Sequence, residues 1–153
     1  MRRFAAALLL SVSTAACTSM TAGDDRAPGM IAPILISADA RDSQSYARPE
    51  IARVTHVDLD LALDFDRKAV GGTATLEVLA APGAQEIVLD SHGLAVTRVT
   101  DERGRDLAFT TGAAEGDKGA PLTIAIGPGG ERRRLILQYS ASPKAEALQW
   151  LSP

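Results

Sequence analysis

Between residues 57 and 66 the chain alternates almost without a break: Val57, Leu59, Leu61, Leu63 and Phe65 are apolar, and Asp58, Asp60, Asp64 and Asp66 stand between them. A period of two puts the apolar side chains on one face of an extended strand, because successive Cβ atoms point to opposite sides. A helix would scatter the same residues around its circumference. The segment therefore reads as a half-buried β-strand, its apolar row facing a core and its aspartates facing water. Gly71-Gly72 is expected to turn the chain, and residues 73–78 alternate again as an antiparallel hairpin partner. Shorter strands are expected at 86–90, 94–100, 107–110, 121–126 and 134–139. Between them sit the turn signals Ser91-His92-Gly93, Glu102-Arg103-Gly104 and Gly127-Pro128-Gly129-Gly130, where glycine supplies the positive φ of tight turns. Some seven short strands without an amphipathic helix make the fold all-β, an antiparallel β-sandwich or a saddle-shaped sheet.

This pattern begins only after about fifty residues of a different character. Met1-Arg2-Arg3 precedes an apolar run from Phe4 to Leu10 and a small-residue stretch ending Thr14-Ala15-Ala16-Cys17, which is the build of a secretory signal peptide. The apolar run is far short of the ~20 residues that cross a bilayer as a helix. Cys17, the sole cysteine, follows an imperfect lipobox with Thr14 where Leu or Val is usual. Residues 1–17 are thus expected to direct export to the periplasm, with Cys17 as a lipidation site and membrane anchor, or else with ordinary cleavage nearby. Residues 18–48, with Gly23, Asp24, Asp25, Pro28, Gly29 and Pro33, read as a flexible tether, and residues 49–153 as a single folded β-domain.

A lone cysteine rules out an internal disulfide and any cysteine-based zinc site, so a packed core must hold the domain together. Nineteen acidic residues outweigh sixteen basic ones, and loss of Arg2 and Arg3 with the leader takes the formal charge from −3 to −5. An acidic domain with no basic stripe excludes nucleic acid as a partner.

Few residues invite a chemical reading. His56 with Asp58, Asp60, Asp64 and Asp66 on one face suggests a metal site, but same-face neighbours on a strand are ~6.6 Å apart, and one ion can bridge two of them at most. A solvated acidic face is the better reading. His56 and His92 fit no zinc-ligand spacing, and there is neither an HExxH motif nor a G-x-S-x-G elbow. His92 reads as a turn residue. Gly127, Gly129 and Gly130 lack the Lys-Ser or Lys-Thr of a phosphate loop, and Arg132-Arg133-Arg134 reads as the entry to a strand continuing through Leu135, Leu137 and Tyr139. No catalytic, cofactor-binding or metal-binding residue is assigned.

Two longer segments say more. Ser45-Tyr46-Ala47-Arg48-Pro49-Glu50-Ile51-Ala52-Arg53-Val54-Thr55-His56-Val57-Asp58-Leu59-Asp60-Leu61, with Asp64-Phe65-Asp66 and Gly72-Thr73-Ala74-Thr75-Leu76, resembles the opening of leukotriene A4 hydrolase-like zinc aminopeptidases. Ser142-Pro143-Lys144-Ala145-Glu146-Ala147-Leu148-Gln149-Trp150-Leu151-Ser152-Pro153 is similar to a segment late in that family's amino-terminal domain. The resemblance implies a modular enzyme: an amino-terminal β-domain, a thermolysin-like domain holding zinc through HExxH and a distant Glu, and a helical domain. It implies peptide substrates, gripped through a G-x-M-E-N motif and Gln and Glu groups, and it implies water activation at zinc. None of those motifs occurs in these 153 residues, so no cofactor is assigned to the chain itself, and no substrate role is transferred to Gln149. The chain is expected to lack the catalytic domain, to be inactive alone, and to leave Trp150 and Leu151 in want of a partner. Epoxide hydrolysis is a poorer inference than peptide hydrolysis. The alternative from another class is a free-standing lipoprotein β-sandwich that binds a ligand, though 4% aromatic residues and the single Trp150 give it no sugar-stacking platform.

Overall fold

The computed structural model describes residues 29–32, 37–141, 145 and 149–151. The leader, Cys17 and much of the expected tether lie outside the described residues. Seven strands follow in chain order: β1 (Ala52–Asp64), β2 (Ala69–Ala80), β3 (Glu86–Ser91), β4 (Leu94–Asp101), β5 (Phe109–Thr111), β6 (Ala120–Ala125) and β7 (Arg132–Ala141). They form a four-stranded sheet of order β1-β2-β7-β4 and a three-stranded sheet of order β3-β6-β5. Every pairing is antiparallel. This is the all-β sandwich expected from the alternation.

The core lies where the two sheets overlap. β2 sends Ala74, Leu76 and Val78 inward and Thr73, Thr75 and Glu77 outward, and β7 sends Leu135 and Leu137 inward. Facing them are Ile87 of β3 and Leu122 and Ile124 of β6. Ile87, Ile124, Leu135, Val78 and Val99 are the largest fully buried side chains. Each such burial stabilises by ~1.5–3 kcal/mol.

Two β-bulges keep the outer strands in phase with this core. Pairing of β1 with β2 shifts between Val54 and His56, and pairing of β4 with β7 shifts between Val96 and Arg98. The skipped residues are Thr55 and Thr97, and each hydroxyl donates across the ladder, to the Glu77 and Gln138 carbonyls at 3.2 Å. One extra residue changes the parity of everything beyond it. Ala52 and Val54 therefore share a face with Val57, Leu59, Leu61 and Leu63, and Leu94 and Val96 share one with Val99.

The expected turn at Gly71-Gly72 is wrong. Both glycines lie inside β2, opposite Ala62 and Leu61, and the chain reverses at residues 65–68, where the Arg67 N–H donates to Asp64 Oδ1 at 2.9 Å and Lys68 takes φ 52°. Gly72 is required for another reason. Its φ is 150°, and a Cβ there would overlap the Asp60 carbonyl oxygen and sit 3.0 Å from the carbonyl carbon. The sequence signal for a turn was the signal for a close approach of two backbones.

The described part of the 18–48 segment lies along the domain. The Gly29 N–H donates to the Pro82 carbonyl at 2.9 Å and the Ile31 N–H to the Glu50 carbonyl at 2.7 Å. Asp90 of β3 accepts from the Ser45 hydroxyl at 2.6 Å and the Tyr46 N–H at 2.7 Å, and Arg48 pairs with Glu86.

Candidate functional site: an uncovered apolar face

The four-stranded sheet is longer than the sheet that covers it. β1 has 13 residues and β2 has 12, whereas β3 and β6 have 6 each and β5 has 3. At ~3.3 Å per residue, β1 runs about twice as far as its cover. The far half of its inner face therefore stays open. Val57, Leu59, Leu61 and Leu63 are between 47% and 57% exposed, and Phe65 is 74% exposed. The expectation of a half-buried strand is corrected here. Alternation does place Val57, Leu59, Leu61 and Leu63 on one face, but the described residues leave about half of each side chain open.

The open face continues into a groove of about 370 Å³ between the sheets, with Leu59, Leu61, Leu89, Leu94, Val96 and Tyr139 among its walls. Ser91, the last residue of β3, and His92, on the connection to β4, also line it. Lower down, Val70, Ala141 and Ala145 form a second small apolar cluster against which Trp150 packs. The Trp150 ring also meets Phe65 edge-to-face, with centroids 6.0 Å apart and planes at 88°. The Trp150 ring is thus packed, whereas among the described residues its buried indole N–H has no acceptor, and Leu151 is 86% exposed.

The polar candidates separate from one another. His56 Nε2 lies 3.2 Å from Asp58 Oδ1, both exposed. Asp64 is engaged by Arg67, and Asp60 faces Thr73 across the ladder. Among the described residues no group of three or more His, Cys, Asp or Glu could hold a metal ion, so this donor set does not fit a zinc site. His92 lines the apolar groove beside Leu94 and Leu122, and Asp90 of β3 accepts from Ser45 and Tyr46. Two of the three arginines hold the scaffold: Arg134 donates to Glu77 Oε1 at 2.6 and 2.8 Å, and Arg133 reaches the Ile126 and Gly127 carbonyls at 3.4 and 3.2 Å. Gln149 is exposed.

Two groups have displaced proton affinities. Burial raises the Asp101 carboxyl, but donation from Arg105 through both backbone and side chain, and from the Arg103 N–H, outweighs it and leaves the group below its ordinary value. Asp101 thereby fastens the tight turn after β4, accepting from Arg103 and Arg105 N–H groups at 2.9 Å and from the Arg105 guanidinium at 2.6 Å. Burial raises the Tyr46 phenol, and the negative charges of Glu115 and Asp90 raise it further. Its hydroxyl donates to the Gly119 carbonyl at 3.2 Å and Lys118 Nζ stands 3.8 Å above its ring. Both clusters tie the chain to itself. Sequence reading missed them because their members are 2 to 73 residues apart and share no periodicity.

No family model matches the chain. Leukotriene A-4 hydrolase of Xenopus laevis is 30% identical over 115 residues, covering 72% of this chain and 19% of that protein. Leucine aminopeptidase 2 of Pyricularia oryzae is 31% identical over 121 residues, covering 74% of this chain and 19% of the relative. Among solved structures, native leukotriene A4 hydrolase from Saccharomyces cerevisiae superposes with a TM-score of 0.63 at 21% identity, over 71% of this chain and 18% of that one. The last likeness establishes the fold. The chain spans about a fifth of the length of the curated relatives it matches.

Proposed function

From its place among the leukotriene A4 hydrolase-like aminopeptidases, with which it is homologous over 72% of its length, we propose that this chain is the amino-terminal structural domain of an exported zinc-dependent aminopeptidase. In that role it packs against a catalytic part of the same polypeptide and walls one side of the peptide-binding cleft. The supporting observation is the open apolar face: Val57, Leu59, Leu61 and Leu63 form a continuous row beside a 370 Å³ groove. Isolated exposed leucines need no explanation, but a contiguous apolar patch marks a surface that another body covers. Completing the burial of four half-exposed aliphatic side chains is worth roughly 1 kcal/mol each.

Zinc, when held by the catalytic part, supplies an activated water for hydrolysis of the first peptide bond. The residues of this chain take no part in that step. They contribute a rigid β-wall and an apolar seat. Export follows from the Arg2-Arg3 start and the apolar run after it, and anchoring from a diacylated Cys17. Mass spectrometry of the membrane fraction reads out the anchor; an unmodified terminus near Cys17 in a soluble extract would remove it.

The groove also favours a second reading, since 370 Å³ lies within the range of small-ligand sites. A free-standing binding module would use that groove for an apolar molecule and would be stable by itself. Urea denaturation with light scattering separates the two, comparing the processed chain with the chain joined to its catalytic part. The domain reading expects the joined form to be several kcal/mol more stable, roughly the sum of the completed burials. Equal stability, with a cooperative monomeric processed chain, would favour the binding module.

A further inference from the structure

Gly29 and Trp150 lie at opposite ends of the sandwich. At one end are the connection from β2 to β3 and the loop from β6 to β7, joined where the Ile126 N–H donates to the Gln85 carbonyl at 2.8 Å. The residues ahead of β1 are fastened to this same end: the Gly29 N–H meets the Pro82 carbonyl, the Ile31 N–H meets the Glu50 carbonyl, and the Arg53 guanidinium donates to the Ala32 carbonyl. At the other end are the hairpin turn at residues 65–68 and the cluster of Val70, Ala141 and Ala145 on which Trp150 packs. Residues 18–28 separate Cys17 from Gly29 and reach no more than about 40 Å however they are arranged. An anchor at Cys17 therefore acts on the Gly29 end, while β1, with its 13 residues and length of about 43 Å, sets the distance to the other.

The two ends differ in charge. The Gly29 end gathers Arg48, Arg53 and the run Arg132-Arg133-Arg134 against Glu50, Glu77, Glu86 and Glu131, and around the turn after β4 acidic and basic residues balance. Glu86 and Glu77 are taken up by Arg48 and Arg134, and Glu50 is buried. Arg53 and Arg133 donate to carbonyl groups, which do not neutralise their charge. Exposed Arg132 stands across Leu79 from Arg53 on the outer face of the sheet, with Glu131 as the remaining counter-charge. The opposite end is acidic, since Asp60, Asp64, Asp66, Asp90, Glu115 and Asp117 outnumber Arg67, Lys68 and Lys118. A molecule polarised in this way turns its basic end to a negative surface.

We propose that the Gly29 end of the sandwich lies on an anionic lipid surface, with Arg53 and Arg132 against headgroup phosphates and the acidic end turned away from it. The proposal rests on the anchoring at Cys17 proposed above. Arginine suits the contact because a guanidinium that gives one donor to a carbonyl keeps others for a phosphate. A nucleic acid is the poorer occupant. So few uncompensated arginines on an acidic chain neutralise too little phosphate to hold it, whereas an anchor keeps the lipid surface at hand. A catalytic part seated beyond the far half of β1 then stands off the bilayer by roughly the length of the domain, about 40 Å.

The test couples the processed chain through Cys17, its only cysteine, to maleimide headgroups in vesicles that also carry a dansyl headgroup as energy-transfer acceptor. One set of vesicles contains phosphatidylglycerol and phosphatidylcholine, the other phosphatidylcholine alone. Trp150, the only tryptophan, is the donor at the far end, and Gly130→Trp adds one at the near end, where nothing lies within 4 Å of a new Cβ. In the anionic vesicles Gly130→Trp is expected to raise transfer at least about twofold over the unsubstituted chain, and in the neutral ones by much less. Each of Arg53→Gln and Arg132→Gln should lower the population of this orientation about fivefold. About 0.5 M salt should do the same without any substitution. Equal transfer in the two kinds of vesicle, transfer from Trp150 matching that from Gly130→Trp, or no loss with both arginines replaced would each overturn the proposal. Because the maleimide stands in for the acyl chains, failure here leaves the anchoring of Cys17 to be decided by mass spectrometry, and an unacylated Cys17 in the cell would be seen there and not here.

Discussion

Gly72→Ala should be among the most damaging single-methyl changes in this protein. The φ of 150° at Gly72 is one that residues with a Cβ rarely adopt, and the added Cβ would overlap the Asp60 carbonyl oxygen with Leu61 Cα 3.1 Å away. Both obstacles are backbone, so neither can rotate aside. Relief needs β1 to shift away from β2 in the middle of their ladder. The strained φ costs ~1–3 kcal/mol, and displacing a packed strand costs about 1–3 kcal/mol more. A loss of roughly 3 kcal/mol is a large share of the ~5–15 kcal/mol that holds a small domain together. Gly71→Ala is the control. There the nearest atom to a new Cβ would be the Tyr139 carbonyl oxygen at 3.4 Å, an ordinary contact, and the change should cost under about 1 kcal/mol. Urea denaturation monitored by circular dichroism decides it, with both variants measured at low protein concentration. Equal midpoints for the two variants would refute the close-approach account and return Gly71-Gly72 to a loosely held turn.

Asp101 makes stability pH-dependent with a definite sign. Its folded proton affinity is lowered, so its contribution is fully present above the unfolded value near pH ~4 and is lost as pH falls through the lower folded value; Asp101→Asn should be destabilised at neutral pH and show a flatter acid limb in a pH series of thermal melts. Thr97→Val deletes the hydroxyl that meets the Gln138 carbonyl at the bulge and should cost about 1 kcal/mol in urea. Leu61→Lys places a charge in the middle of the open apolar row and should reduce light scattering of the isolated chain without lowering its urea midpoint by more than about 0.5 kcal/mol; a large loss of stability would mean Leu61 is already buried.

All seven strands were legible in the sequence, most clearly where a run of period two marks them, with bounds that differ by up to five residues: β1 begins at Ala52 rather than Val57 and ends at Asp64 rather than Asp66. The burial of β1 was not. Alternation at Val57, Leu59, Leu61 and Leu63 says that one face shares an environment, but not whether the covering surface is supplied by the same stretch of chain. Thr55 and Thr97 were silent for a related reason, since a bulge is a mismatch between two strands and neither strand records it alone. Gly71-Gly72 misled because a turn and a close backbone approach ask for the same residue. Trp150 was legible as an apolar group seeking cover, but Phe65, which meets its ring, lies 85 residues earlier and no local pattern joins them.

In the proposed role this β-domain serves a zinc aminopeptidase while doing none of its chemistry. The most direct measurement is zinc content together with release of amino-terminal residues from an aminoacyl amide, made on the polypeptide as its source organism produces it and on the 153-residue chain alone. About one zinc ion per polypeptide and turnover abolished by a chelator are expected for the former, and neither for the latter. A stable, metal-free native product without turnover, or chelator-sensitive turnover by the 153-residue chain itself, would contradict it.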